Sequence, residues 1–176
     1  MTRRTQTRKS PEHSGGAGQS AERQLAGFVA KYPPDLARQT REARRKMRAL
    51  LSGAIELVYD NYNALAIGFG PNERASDAVF SIAVFPRWVS LFFFQGVELT
   101  DPARILKGSG KRVRHIVLGS AADLERPEVR ALMNEALELA DLPIASKGRA
   151  PLVIKSVSAA QRPRRPSATA ASRRRP

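Results

Sequence analysis

The sequence contains no cysteine, two histidines and a single tryptophan among 176 residues. The absence of cysteine excludes a disulfide framework, a zinc–thiolate site, an iron–sulfur cluster and a cysteine nucleophile. Two histidines also make a metal site of several histidines hard to build. We therefore expect no cofactor, and any metal chemistry would depend on carboxylates.

Long apolar runs are also lacking. The longest one is interrupted by Arg87 and Gln95, and it falls short of the roughly 20 residues that span a bilayer. The first residues are basic, but no apolar stretch follows them as it would in a signal peptide. These observations predict a soluble, cytoplasmic protein that does not associate with membranes.

Acidic residues are scarce, with 16 Asp and Glu against 30 Lys and Arg, for a net charge of +14. Residues 1–20 and 159–176 have no aliphatic periodicity, and we predict that both are disordered basic tails. They carry +3 and +6, which leaves +5 for residues 21–158. The tails are therefore either a nonspecific nucleic-acid contact or simple solubilising extensions.

Residues 21–158 read as one domain. The three- and four-residue spacing of apolar side chains predicts helices over 21–31, 36–52 and 127–141, with Asp35 as the N-cap of the second. β-prone runs predict strands over 63–69, 78–85, 88–94, 112–118 and 152–157. Short turns between these strands favour antiparallel pairing. The predicted fold is α+β, an antiparallel sheet of about five strands with helices packed mainly on one face.

Three segments together resemble the YdhG-like family of small bacterial domains of unknown function. They are VYDNYN at 58–63, AVFPRWVSLFF at 83–93 and LKGSGKRVRHI at 106–116. The resemblance covers roughly residues 22–142. It implies a compact α+β domain with an antiparallel sheet, loosely similar to frataxin. One branch of the family is associated with intracellular iron delivery.

Iron handling is thus an alternative function, and frataxin-type iron binding uses clustered helical carboxylates. In this chain the corresponding helix carries cations around a lone Glu42: Arg38, Arg41, Arg44, Arg45, Lys46 and Arg48. A cationic helix repels a metal ion. The alternative therefore relies on Glu135, Glu138 and Asp141 near the end of the last helix.

The segment from residue 107 to residue 115 is the sharpest candidate site. It comprises Lys107, Gly108, Gly110, Lys111, Arg112, Arg114 and His115. Glycines let backbone N–H groups approach a ligand, and the surrounding cations suit a phosphate or carboxylate. The spacing is not that of a P-loop, and a strand follows where a helix should. The alternative is a glycine-rich hairpin that displays solvated charges.

A second candidate site is a polar aromatic cluster between the second helix and the sheet, formed by Tyr59, Asp60, Tyr62 and Asn63. These residues are expected either to line a small ligand site with Trp88 or His115, or to pack the junction of helix and sheet. In the second case Asp60 and Asn63 would cap turns.

Four arginines, Arg38, Arg41, Arg45 and Arg48, share one face of the second helix. They would either follow a phosphate backbone or form a solvated face supported by a Glu42–Lys46 pair.

The sequence thus predicts a binding module for an anionic small molecule or an acidic partner, without recognisable catalytic residues or a metal. His115 has no serine nucleophile and carboxylate placed beside it by any motif. The alternatives are an iron chaperone and nonspecific nucleic-acid association through the tails. Nothing in the sequence indicates an oligomeric state.

Overall fold

A computed structural model describes residues 15–146, 148 and 151–165 of the chain. In chain order the elements are α1 (Gly15–Ala30), α2 (Pro34–Leu50), β1 (Ile55–Asp60), β2 (Leu65–Gly70), β3 (Phe80–Val84), β4 (Val89–Phe93), β5 (Arg114–Leu118), α3 (Pro127–Glu138) and β6 (Leu152–Val157). Short 3-10 helices, Ala75–Asp77 and Ala121–Glu125, lie in the β2–β3 and β5–α3 connections. This arrangement confirms the α+β class.

The strands form a six-stranded sheet in the order β5-β4-β3-β2-β1-β6. Neighbours are antiparallel except β6, which runs parallel to β1. The prediction of about five antiparallel strands is corrected in both respects. The alternation of apolar and polar residues does not predict β1, because Glu56 and Asp60 occupy its helix-facing positions. A half-buried strand normally has apolar residues at such positions. β6 becomes parallel because the long connection through α3 permits a crossover.

The core lies between the helices and one face of the sheet. Val89, Leu91 and Phe93 alternate along β4 and are fully buried on that face. The helices add further buried residues, among them Leu25 of α1 and Met47 of α2. Burying each such large side chain contributes roughly 1.5–3 kcal/mol. The sequence places apolar residues on both faces of β4, and the face with Val89, Leu91 and Phe93 is the one that packs against the helices.

The other face of the sheet, which we call the open face, is formed by the alternate residues of the strands. It comprises Leu57, Tyr59, Ala66, Gly68, Ser81, Ala83, Ser90, Phe92, His115 and Val117. Leu57, Ser81, Ala83 and Ser90 of this face are buried, although Leu57 and Ala83 do not belong to the helix-side core. Val117 and the adjacent Trp88 are each 38% exposed. The open face therefore reaches solvent at Trp88 and Val117, near the β5 edge, whereas Ser90 between them is buried.

Ordered structure extends past both predicted limits of the domain. α1 begins at Gly15, inside the segment 1–20 predicted to be a tail. α2 begins at Pro34, so Asp35 lies in its first turn rather than at the N-cap, because proline is favoured at the first helical position. At the other end, residues 159–165 form a C-terminal arm that places Arg164 in a buried position. Described structure thus covers residues 15–20 and 159–165 of the predicted tails, and the rest of both tails lies outside the described residues.

A buried carboxylate on β1, Glu56, ties the strand to α1 and α2. Arg44 Nε donates a hydrogen bond to Glu56 Oε2 at 2.6 Å, and its two Nη atoms donate to Glu22 at 2.7 and 2.8 Å. Arg48 Nε lies 3.3 Å from Glu56 Oε1. Burial alone would lower the pKa of Arg44, but hydrogen bonds to Glu22 and Glu56 outweigh it and raise that pKa. The hydrogen bond from Arg44 also lowers the pKa of Glu22.

A second buried carboxylate, Asp60, holds the C-terminal arm. It accepts hydrogen bonds from Lys31 Nζ at 2.9 Å, Gln161 Nε2 at 2.6 Å and Arg164 Nη2 at 2.8 Å. The Arg164 guanidinium also lies 5.5 Å from the ring centroid of Tyr32. Burial of this region raises the pKa of Tyr32 to about 12. The arm is therefore an integral part of the fold up to residue 165.

Candidate anion-binding site

The glycine-rich loop (residues 107–114) leads into β5 at an edge of the sheet. Lys107 and His115 form an antiparallel bridge at its base, with N···O distances of 2.8 and 2.9 Å. Gly108 has a φ angle of 115°, a backbone conformation that other residues rarely adopt. Gly110 is exposed in the middle of the loop. The bridge and Gly108 thus set the path of the loop.

The cations of this loop differ in what they contact. Arg114 Nη1 donates a hydrogen bond to the carbonyl oxygen of Gly110 at 2.5 Å, which closes the loop on itself. Lys107, Lys111 and Arg112 are exposed. Among the described residues, none of these three forms an ion pair. Arg114 therefore supports the loop, while the other three can reach a ligand.

A cleft of about 270 Å³ lies where the β2–β3 connection, the end of β4 and the end of α3 meet. Arg112 of the glycine-rich loop and Arg74 of the β2–β3 connection both line it, and we call them the cleft arginines. Gln95 adds an amide, and Phe94 and Ala136 contribute apolar lining. Two guanidinium groups from separate connections therefore border one small concave site.

The acidic residues of the cleft are partly engaged. Asp77 accepts hydrogen bonds from Asn72 Nδ2 at 2.8 Å and from Ser76 Oγ at 2.7 Å. These hydrogen bonds lower the pKa of Asp77, so it stays ionised and its oxygens are occupied. Asp141 is the other carboxylate of the lining. The charge of Arg74 also lowers the pKa of Asp77, but neither cleft arginine forms a direct ion pair within the described part of the chain, so their guanidinium groups can still contact an anionic group.

His115 lies on the open face and not in the cleft. Its ring stacks on Phe92, with centroids 4.9 Å apart and planes 22° apart. Desolvation by burial, followed by the charge of Lys107, lowers the pKa of His115. The imidazole is therefore neutral at pH 7 and behaves as one half of an aromatic pair.

This lowered pKa predicts a pH effect on stability. The unfolded chain takes up a proton near pH 6.5, whereas folded His115 resists protonation until a lower pH. Stability should therefore fall as the pH drops below about 6.5, down to the lowered pKa of the folded state. His115→Phe keeps the stacking and removes this contribution. Urea unfolding at pH 7.5 and 5.0 should show a smaller acid-induced loss in the variant; equal losses would contradict the assignment.

The two tyrosines lie toward the opposite edge of the sheet from the glycine-rich loop. Tyr59 is on β1 and Tyr62 is 54% exposed in the β1–β2 turn. Three strands separate β1 from β5, which places Tyr59 about 19 Å from His115 at about 4.8 Å per strand. The structure does not bring these residues into one site. Asp60, the expected turn cap, instead binds the C-terminal arm.

Half of the arginine face of α2 is engaged in ion pairs. Arg38 pairs with Asp35 in the first turn at 2.9 Å, and Arg48 pairs with Glu22 at 3.1 Å. Lys46 pairs with Glu125 instead of Glu42. Of the four predicted arginines, only Arg41 and Arg45 have no carboxylate partner among the described residues. The continuous stripe predicted from spacing is therefore reduced to two side chains.

The carboxylates considered for iron are dispersed at the end of α3. Glu135 accepts hydrogen bonds from the backbone N and the Oγ1 of Thr100 at 2.9 Å. In the described part of the chain there is no group of three or more His, Asp or Glu side chains that could hold a metal ion.

The tail cations fall mostly outside the described residues. These are Arg3, Arg4, Arg8, Lys9, Arg173, Arg174 and Arg175. Arg162 N donates to the carbonyl oxygen of Tyr62 at 2.9 Å, and Arg164 is buried on Asp60. At least one of the six C-terminal arginines therefore serves the fold and is not available to a nucleic acid.

Comparison of the chain with protein-family models, with curated proteins and with solved structures finds no match. None of the helices in residues 15–146, 148 and 151–165 has the length and apolar character needed to cross a membrane.

The sequence pattern finds Arg112 but not Arg74. Arg74 follows the turn residues Gly70, Pro71 and Asn72, and an arginine in such a turn looks like any solvated surface charge. The two arginines are 38 positions apart. Only the sheet order, which brings both connections to the same end of the sheet, reveals that they share a cleft.

Proposed function

We propose that this protein is a non-enzymatic binding module for an anionic ligand, either a small molecule that bears a phosphate or carboxylate or an acidic partner group. The observation that carries the proposal is the convergence of the cleft arginines on one concave site of about 270 Å³. Guanidinium groups suit these anions because their planar N–H donors match both oxygens. Lys107 and Lys111 add positive charge along the glycine-rich loop.

The proposal includes a cytoplasmic location and membership of the YdhG-like family. The resemblance of residues 58–63, 83–93 and 106–116 to that family and the α+β class are the grounds for the membership, and the family's association with iron is not part of the proposed function. Iron handling and nucleic-acid binding through the tails stay predictions that no contact among the described residues favours.

Calorimetric titration with inorganic pyrophosphate tests the site. The double variant Arg74→Ala with Arg112→Ala is expected to bind at least about tenfold more weakly, because each hydrogen bond to a charged group contributes roughly 1.5–3 kcal/mol. The matched control is Arg41→Ala with Arg45→Ala, which removes two unpaired arginines from α2. Equal weakening in both double variants would indicate a diffuse charge effect and would defeat the proposal.

A further inference from the structure

Two stacked aromatic pairs lie along β4. Phe85 and Trp88 stack at the β3–β4 turn, with ring centroids 5.0 Å apart and planes 23° apart. Phe92 and His115 stack across β4 and β5, with centroids 4.9 Å apart and planes 22° apart. Strand alternation places all four on the side of the open face. The helix-free side of the sheet thus carries planar groups at both ends of β4.

Small residues separate these pairs. Trp88, Ser90 and Phe92 alternate on one side of β4, so the two aromatic residues lie about 13 Å apart along the strand. Ala83 flanks Ser90 on β3, and Val117 flanks it on β5 and is 38% exposed. The buried Ser90 hydroxyl has no hydrogen-bond partner among the described residues. Between the rings, Ser90 and Ala83 are therefore buried, and Val117 supplies the exposed apolar surface.

Cations border this surface. The Arg87 guanidinium carbon lies 5.9 Å from the centroid of the Trp88 ring. Lys107 is directly opposite His115 in the bridge, so it lies on the same side of the sheet. Within the described residues, neither Arg87 nor Lys107 has a carboxylate partner. Positive charge therefore stands at the turn and at the sheet edge, with the aromatic pairs between.

We infer that the open face binds single-stranded nucleic acid, with bases stacked beside Trp88 and the Phe92–His115 pair. Arg87 and Lys107 contact the phosphates, and the glycine-rich loop extends that contact. This inference rests in part on the proposed function, because the same glycine-rich loop is proposed there to bind anions. Aromatic side chains bordered by positive charge hold single strands with little sequence preference. A duplex keeps its bases stacked inside and cannot use the rings.

Trp88 is the only tryptophan of the chain, so its fluorescence reports contact with the open face. Titration of the full chain with an oligothymidine of about 12 nucleotides should quench this fluorescence in a saturable manner. Val117→Glu should weaken binding about tenfold or more, because it places a negative charge on the surface that the strand occupies. The matched control is Leu139→Glu at the end of α3, where the side chain is equally exposed at 37%, and it should bind like the parent.

An abasic deoxyribose–phosphate oligomer of the same length separates the two proposals. Measured by competition, it should bind at least about tenfold more weakly than oligothymidine, since stacking on each base is lost. Equal affinity for the two oligomers would overturn the stacking inference and leave anion binding intact. Tighter binding of a duplex, or bound oligothymidine without quenching, would overturn it as well. If Lys111→Ala with Arg112→Ala changes neither affinity, the proposed function fails instead.

Discussion

Replacing Arg44 with methionine is expected to lower the free energy of unfolding by about 3–5 kcal/mol, because it leaves the buried carboxylate of Glu56 without its main partner. Glu56 is 1% exposed, and its remaining contact is Arg48 at 3.3 Å. Glu56 cannot reach water without separating β1 from α2, and Arg48, whose side chain is 44% exposed, is a weaker partner than Arg44. Chemical denaturation monitored by circular dichroism gives the free energy directly.

A double variant distinguishes the lost ion pair from lost packing. Arg44→Met with Glu56→Met replaces both charges by apolar groups of similar volume, and it should regain most of the stability, since an apolar pair is often as stable as a buried ion pair. Arg41→Met, on an exposed position of α2, is the control and should change stability by less than about 0.5 kcal/mol. A double variant no more stable than Arg44→Met would contradict this explanation.

Replacing Asp60 with alanine is expected to release the C-terminal arm and to cost about 3 kcal/mol or more. The Arg164 side chain is 3% exposed and depends on this carboxylate for its charge partner. Lys31 is affected less, because its side chain is 41% exposed and remains hydrated. Thermal unfolding measures the loss of stability.

Limited trypsin digestion measures release of the arm separately. Trypsin cleaves after arginine unless proline follows, so Arg164 offers a susceptible bond whereas Arg162 and Arg165 do not. The Asp60→Ala variant should be cut after Arg164 much faster than the parent chain, as seen by mass spectrometry. Asp35→Ala removes a carboxylate whose side chain is 85% exposed, and its digestion should match the parent. Equally fast cleavage of the parent would show that Asp60 does not retain the arm.

The predicted strands of the sheet match the observed ones wherever apolar residues alternate without interruption. β4 shows this best, because the side of the strand with Val89, Leu91 and Phe93 is fully buried. β1 could not be found in this way, since Glu56 and Asp60 face the helices and are stabilised by Arg44 and Arg164. Those partners lie 12 and 104 positions away in the chain, and local periodicity contains no information about them.

The parallel pairing of β6 was beyond prediction for a similar reason. The residues of this strand indicate an edge strand, but they do not specify the edge. The register of Leu152 opposite Glu56 on β1 depends on how α3 packs across the sheet. Tertiary packing therefore determines both the edge at which β6 pairs and the mixed parallel and antiparallel character of the sheet.

The candidate site was predicted in part. The glycine-rich loop is recognisable because glycines and cations are neighbours in the sequence, and Arg112 does line a cleft. Its second arginine, Arg74, and the aromatic pairs along β4 come together only through strand register. Some cations on the helix side, such as Arg44 and Arg164, form ion pairs with buried carboxylates. Lys107, Lys111 and Arg112 of the loop have no such partner among the described residues, and neither do Arg41 and Arg45 on α2. Ion pairing alone therefore does not separate the proposed site from α2, and the anion titration has to compare the two places.

The location of a bound anion tests the proposed site at the cleft arginines most directly. Inorganic pyrophosphate titrated into the isotope-labelled full chain, followed by assigned backbone amide shifts, reports which residues it approaches. If the cleft arginines bind the anion, saturable shifts are expected at residues 74–79, at Gln95 and in the loop 107–114. Shifts concentrated on α2 around Arg41 and Arg45, or no saturable shift at all, would contradict the proposed site.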